Sequence, residues 1–101
     1  MSSEPREPRT EVHLITGLGD ERAWRHCHGR ADHGARVLVV LLHDAVLETE
    51  GRLRGPKGGA ELAVAACTEH ARRRQLPERW ALIDYAEIIA RCATAQQVVS
   101  W

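Results

Sequence analysis

The strongest continuous apolar run in the chain is Val37 to Leu42, which reads VLVVLL. A strand with one face in water alternates apolar and polar residues, whereas a strand that is covered on both faces is apolar throughout. The run therefore predicts a central strand of a sheet with helices on each side. This one segment already favours a layered α/β fold.

Five short segments have the apolar and β-branched composition that is typical of strands. They are Val12 to Thr16, Val37 to Leu42, Leu62 to Ala66, Trp80 to Ile83 and Gln97 to Trp101. Helical segments alternate with them along the chain. This alternation predicts a small, doubly wound α/β sheet of five mostly parallel strands with helices on both faces.

Polar residues of the type that cap helices precede the predicted helices. They are Asp20, Thr68 and Asp84. The helices are expected to end near Ala31, before Pro77 and near Ala93. On the last helix, Ile88, Ile89 and Cys92 are predicted to share one face, so that Cys92 is expected to be an inert core residue.

Length and charge limit the classes of protein that the chain can belong to. Its 101 residues suit one domain, expected over residues 11–101, after a charged, proline-containing tail at 1–10 that is predicted to be disordered. Fourteen basic and fourteen acidic side chains cancel, which argues against a dedicated binder of nucleic acid or membrane surfaces. No apolar run approaches the ~20 residues of a membrane span, and the polar start is unlike a signal peptide, so a cytoplasmic location is expected.

Cys67 lies where the third predicted strand ends and a helix begins. In open α/β sheets, reactive groups gather at the carboxyl ends of strands, and the positive end of a helix favours a thiolate. His70 in the first turn of that helix, or His43 at another strand end, could donate a hydrogen bond to the thiolate. Cys67 is therefore the first candidate nucleophile, and the alternative is a small buried core residue.

Cys27, in the middle of the first predicted helix, is the second candidate site residue. The three cysteines are irregularly spaced and form no Cys-x-x-Cys pair, so reduced thiols are expected. His26 and His28 flank Cys27, but consecutive helical residues point about 100° apart and cannot converge on one ion. No metal is predicted.

Two glycine-rich segments do not meet the requirements of a phosphate site. After Gly17-Leu18-Gly19, the third glycine of a dinucleotide fingerprint is replaced by Arg22. The basic loop GRLRGPKGG at Gly51 to Gly59 has no Ser or Thr after its lysine. No cofactor is predicted, which makes a small-ligand-binding domain the least favoured function.

The closing stretch LIDYAEIIARCATAQQVVSW is similar to the C-terminal ends of DsrH/TusB subunits. These subunits combine an Ile/Val-Asp-Tyr strand exit with a short helix and a terminal tryptophan. Asp84, Tyr85 and Trp101 carry this resemblance. Because a domain of this length has little core to bury alone, Trp101 is expected against the body of the domain or in a subunit contact, and an oligomer is expected.

The opening of the chain also resembles this family. Val12-His13-Leu14 is similar to its leading Leu-His strand, and Cys27 lies seven residues before Gly34, as the family's helix cysteine lies before its glycine. The resemblance implies a DsrE-like fold, partner subunits of the DsrE and DsrF types (TusD and TusC in the tRNA-thiolating version), and a small sulfur-carrier protein. No direct contact with nucleic acid or membrane is expected.

The family resemblance also implies a function, the relay of persulfide sulfur in tRNA 2-thiouridine modification or in sulfur oxidation. The chain departs from the family at His43-Asp44-Ala45, where Glu-Asp-Gly is usual, and at Cys67, where DsrH/TusB chains generally lack a cysteine and DsrE-type chains carry their acceptor. Two functions therefore stay open. Cys67 or Cys27 carries a persulfide, or the chain is a non-catalytic interaction subunit whose cysteines are incidental.

Overall fold

A computed structural model of the chain describes residues 9–49, 62–75 and 80–101. Its strands are β1 (Thr10–Ile15), β2 (Arg36–Leu41), β3 (Leu62–Cys67), β4 (Ala81–Ile83) and β5 (Gln97–Ser100). They pair in parallel in a single sheet with the order β4-β3-β2-β1-β5. The predicted five-stranded α/β fold is confirmed. Most of the predicted tail and the whole loop 51–59 lie outside the described residues.

Helices cover both faces of this sheet. They are α1 (Glu21–Asp32), α2 (Thr68–Arg73) and α3 (Tyr85–Thr94), with a 3₁₀ segment at His43–Leu47. Trp24 and Cys27 of α1 pack in one buried cluster, which we call the α1-face core, and Ile88 of α3 packs in another, the α3-face core. The two helices therefore lie on opposite sides of the sheet.

The central position of β2 explains its continuous apolar sequence. It pairs with β1 on one side and β3 on the other. Val39 belongs to the α1-face core and the next residue, Val40, to the α3-face core, and both are fully buried. Because successive side chains point to opposite faces, a strand between two helical layers needs an apolar residue at every position.

Two of the three predicted helix caps are confirmed, and one is wrong. The Asp20 carboxylate accepts a hydrogen bond from Ala23 N (3.1 Å), and the Asp84 carboxylate accepts one from Glu87 N (2.8 Å). Thr68, however, is the first residue of α2, and Cys67 is the N-cap, without a side-chain capping bond. The reason is that Cys67 still pairs with β4, so no residue separates the strand from the helix.

The predicted apolar face of α3 is only partly correct. Ile88 is 8% exposed, but Ile89 is 69% exposed, since neighbouring residues of a helix point about 100° apart. Cys92 packs against the α3-face core and is half-buried. It is therefore more accessible than a core cysteine.

A chain of hydrogen bonds between polar side chains crosses the α1 face of the sheet. Arg30 donates to Glu11 from Nε (2.9 Å) and Nη2 (2.6 Å), and the other oxygen of Glu11 lies 3.0 Å from His13 Nε2. Trp101 Nε1 donates to His13 Nδ1 at 3.1 Å, and its ring stacks on the imidazole. Trp101 thus lies against the body of the domain, as predicted.

This chain of contacts fixes the protonation state of His13. Its Nδ1 accepts from Trp101, so the single proton of a neutral imidazole is on Nε2 and points at Glu11. Burial lowers the pKa of His13, and it outweighs the opposing effect of the Glu11 carboxylate. Burial raises the pKa of Glu11, but hydrogen bonds from Arg30 and His13 outweigh it, and the net pKa is lowered.

These two shifts predict that acid destabilises the fold. Since the pKa of His13 is lowered from 6.5, the unfolded chain binds its proton first, and stability is lost as the pH falls below about 6.5. The Glu11 contribution is lost at lower pH, below about 4.5. Urea denaturation at several pH values measures this loss. In His13→Gln, which can still accept from Trp101 and donate to Glu11, the decline below pH 6.5 should be shallower; an unchanged slope would contradict the assignment.

Candidate functional site

Cys67 lies at the carboxyl end of β3, which is one strand in from the β4 edge of the sheet. Strands β1 to β4 follow one another across the sheet, and the chain then returns through α3 to β5 at the opposite edge. Cys67 ends β3 and pairs with Ile83, which ends β4. In open α/β sheets, ligands bind outside the carboxyl ends of the strands. The winding reverses between β1 and β5, so Cys67 lies at the ligand-binding edge but away from the switch point itself. The fold therefore places this thiol at a typical site position.

Tyr85 is the direct polar neighbour of the Cys67 thiol. It is the first residue of α3, and its hydroxyl is close enough to Cys67 for the thiol to raise the pKa of Tyr85. The same hydroxyl lies 2.9 Å from His70 Nε2. Burial, followed by the charge and hydrogen bond of Cys67, raises the pKa of Tyr85, which keeps its hydroxyl protonated at neutral pH. One phenol thus connects the thiol to an imidazole.

The direction of these hydrogen bonds follows from the second nitrogen of His70. His43 donates its backbone N–H to His70 Nδ1 at 2.8 Å, so Nδ1 carries no proton. Burial and the neighbouring His43 lower the pKa of His70, which is therefore neutral and protonated on Nε2. Nε2–H donates to the Tyr85 oxygen. The Tyr85 proton is therefore not used by His70 and is available to the neighbouring Cys67 sulfur.

His43 supports this arrangement from the end of β2. Its imidazole stacks on that of His70, with ring centroids 4.3 Å apart and 23° between the planes. Its φ of 51° is in the left-handed region, which turns the backbone N–H toward His70. The prediction that either histidine donates directly to Cys67 is therefore wrong in detail. His70 acts through Tyr85, and His43 acts through His70.

An ion pair holds α2 in position beside the 3₁₀ segment. Arg74 donates to Asp44 at 2.8 Å and also to the backbone oxygen of His70 at 3.3 Å. His70 itself is 5% exposed. One arginine of the basic run 72–74 is therefore structural, while Arg72 and Arg73 are exposed.

Tyr85 belongs to the candidate site, although the sequence does not predict a role for it there. In the sequence, the pair Asp84-Tyr85 indicates a resemblance to a family but no contact with a thiol. A physical signal existed, since parallel strands end at the same edge of a sheet and Tyr85 follows β4 by two residues. Using that signal requires knowing that β3 and β4 are neighbours, because only then do Cys67 and Tyr85 meet.

Cys27 lies apart from this site, in the α1-face core, whereas Cys67 belongs to the α3-face core. Its side chain is fully buried, and burial, followed by the charges of Glu11 and Asp20, raises the pKa of its thiol to about 12. A buried thiol with this pKa is a poor nucleophile at neutral pH. The geometry therefore favours a packing role for Cys27.

The described part of the chain shows neither a cluster of metal ligands nor an open glycine turn. Over residues 9–49, 62–75 and 80–101, no three His, Cys, Asp or Glu side chains come together as metal ligands. Within the same residues, every helix is too short or too polar to cross a membrane. The Gly19 N–H of the glycine turn donates to the Glu48 carboxylate at 3.0 Å. That turn is thus closed by a side chain of the protein itself.

Comparisons with known proteins do not assign the chain to a family. No family model, no curated protein and no solved structure matches it. Function therefore has to be inferred from the residues of the site and their contacts.

The different surroundings of the thiols predict a clear difference in alkylation. Treated with iodoacetamide at about pH 8, folded protein should leave Cys27 unmodified, because its thiol is buried and has a pKa raised to about 12. The half-buried Cys92 is the internal control and should react first. Peptide mass spectrometry across a urea series should show Cys27 reacting only as the protein unfolds. Rapid labelling of Cys27 in the folded protein would contradict its placement.

Proposed function

We propose that the protein is a persulfide carrier of a sulfur relay and that Cys67 holds the transferred sulfur. The observation that carries this proposal is the Tyr85 hydroxyl, which accepts a hydrogen bond from His70 Nε2 at 2.9 Å and is the polar neighbour of the Cys67 thiol. A hydroxyl donating to sulfur stabilises the thiolate over the thiol. That is the form of cysteine that attacks a persulfide.

The transfer step balances without a further reactant. The Cys67 thiolate attacks the outer sulfur of a donor R–S–SH, a bond forms between these two sulfurs, and the S–S bond of the donor breaks. The donor leaves as R–S⁻ and takes up the proton that Cys67 released. One persulfide is consumed and one is formed. Tyr85 donates to the anionic sulfur of Cys67 before the attack.

Access to Cys67 requires a local movement. The thiol is fully buried, whereas its neighbour Tyr85 is 46% exposed. Tyr85 is the first residue of α3, and helix ends open more easily than helix centres. A displaced Tyr85 ring would admit the donor, and its return would shield the persulfide from water and thiols.

The cellular role that we propose follows the DsrH/TusB resemblance. The residues that carry this resemblance most specifically all have structural contacts. Asp84 caps α3, Tyr85 neighbours Cys67, and Trp101 contacts His13. On this proposal the protein acts in the cytoplasm with DsrE-like and DsrF-like subunits and passes sulfur to a small carrier protein. Sulfur oxidation and tRNA 2-thiouridine modification are the two pathways that use such a relay.

A second function, that of a non-catalytic interaction subunit, is favoured by the burial of the thiols. Cys67 and Cys27 are both fully buried. In contrast, the large apolar side chains of Leu82 and Ile89 are exposed, and a partner subunit would cover them. On this alternative the cysteines only fill the core.

Mass spectrometry after incubation with glutathione persulfide separates the two functions. A carrier should gain about 32 Da, the mass of one sulfur atom, on the peptide that contains Cys67. Cys67→Ala should gain nothing there, whereas Cys27→Ala, the matched control at the other buried thiol, should still gain the sulfur. Absence of the added mass in the folded wild-type protein would favour the interaction subunit.

The role of Tyr85 can be measured with Tyr85→Phe, which keeps the ring and removes only the hydroxyl. A hydrogen bond to a charged group contributes ~1.5–3 kcal/mol, so the rate of persulfide uptake near pH 6.5 should fall by about tenfold or more. Leu82→Ala, at an exposed residue in the middle of β4, is the control and should leave the rate unchanged. Equal rates for Tyr85→Phe and wild type would show that the hydroxyl does not support the sulfur.

A further inference from the structure

An open groove of about 520 Å³ lies between the exposed side of α1 and the C-terminal tryptophan. Its polar and aromatic lining consists of Arg22, Arg25, His26, Arg30, His33 and Trp101. We call this surface the α1 groove. Among residues 9–49, 62–75 and 80–101, no acidic side chain lines it, although the whole chain has a net charge of zero. The positive charge is therefore concentrated at one place.

The arginines of the α1 groove are arranged to receive an external anion. Among the described residues, Arg22 and Arg25 have no ion-pair partner. Arg30 is held by Glu11, which fixes its guanidinium at the groove. Arginine presents a planar set of donors that matches phosphate and carboxylate oxygens. Exposed like charges on one helix face repel one another unless an anion lies between them.

The basic side chains of the α1 groove form a row along the helix, and the length of this row indicates an extended ligand. From Arg22 to His33 is eleven residues, about 16 Å along a helix at 1.5 Å per residue. Arg22 and Arg25, at i+3 spacing, lie about 5–6 Å apart, and Arg30 follows five residues after Arg25. A single small anion could contact only part of this row. A chain that carries regularly spaced negative charges could contact all of it.

Aromatic rings at one side of the groove point to the chemistry of that chain. The Trp101 indole is held by its bond to His13 and is half-buried. The exposed His26 ring lies 5.2 Å from it. Grooves that bind single strands combine cations along the backbone with aromatic rings on which bases stack. An acidic peptide would use the arginines but not the rings.

We propose that the α1 groove binds single-stranded nucleic acid, with phosphates along Arg22, Arg25 and Arg30 and a base against Trp101 and His26. This revises the expectation from net charge, because a neutral protein can present a local cationic surface. The groove is distinct from the Cys67 site. Trp101 follows β5, whereas Cys67 ends β3, with β2 and β1 between the two strands. The proposal thus stands without the persulfide proposal.

Fluorescence anisotropy of a labelled oligouridylate of about 12 nucleotides, with the full chain at low salt, tests this proposal. The Arg22→Gln, Arg25→Gln double variant should weaken binding by about tenfold or more, and should reduce the slope of log K against log salt by about 1.4, since each phosphate contact on a single strand contributes about 0.7. The matched control is Arg72→Gln, Arg73→Gln, which removes the same charge from α2 and should change affinity less than about twofold.

Three results would overturn the proposal. Equal losses in the two double variants would show non-specific attraction to surface charge. If inorganic polyphosphate competes as strongly as unlabelled oligouridylate, the bases do not contribute to binding. Equal competition by polyglutamate would assign the groove to an acidic protein partner instead. Circular dichroism of both double variants confirms that each is folded, since all four arginines are on helix surfaces.

Discussion

The burial of β2 on both faces is the constraint on which the rest of the structure depends. Val39 and Val40 are fully buried in different cores, so a helical layer must cover each side of the sheet. In 101 residues, one layer comes from α1 and the other from α3. Parallel strands require crossovers, and the crossover through α3 has to return across the sheet to β5. The change of winding direction between β1 and β5 is thus a consequence of covering one apolar strand, and Cys67 lies at the carboxyl end of β3, on the same edge of the sheet.

The position of each strand could be predicted from the sequence, but the order of the strands could not. Apolar runs, together with Asp20 and Asp84 as caps, define the elements because these signals are local. The order β4-β3-β2-β1-β5 depends on which strands pair, and this is not encoded in any short segment. The contact of Tyr85 with Cys67 follows from that order, which is why the histidines were predicted as direct partners and the phenol was missed.

The buried polar chain on the α1 face shows a second limit of local prediction. Glu11 and His13 lie in a strand pattern that resembles an apolar core segment, but their partners come from positions far apart in sequence, Arg30 and Trp101. A buried carboxylate without those partners would be strongly destabilising. Because Arg30 and Trp101 satisfy the buried pair and also line the α1 groove, the groove has a rigid wall. A surface that is held in this way loses little conformational freedom when a ligand binds.

Burial alone does not decide what a cysteine can do, as the two fully buried thiols demonstrate. Around Cys27 the charged neighbours are carboxylates, Glu11 and Asp20, which disfavour a second negative charge and add to the effect of burial. Around Cys67 the polar neighbour is a hydroxyl whose oxygen is already bonded to His70, so that its proton is available to the sulfur. Equal exposure therefore does not mean equal surroundings, because carboxylates lie near the Cys27 thiol, whereas a phenol hydroxyl bonded to His70 neighbours Cys67. On the persulfide proposal, this difference in polar neighbours is the reason for choosing Cys67 over Cys27.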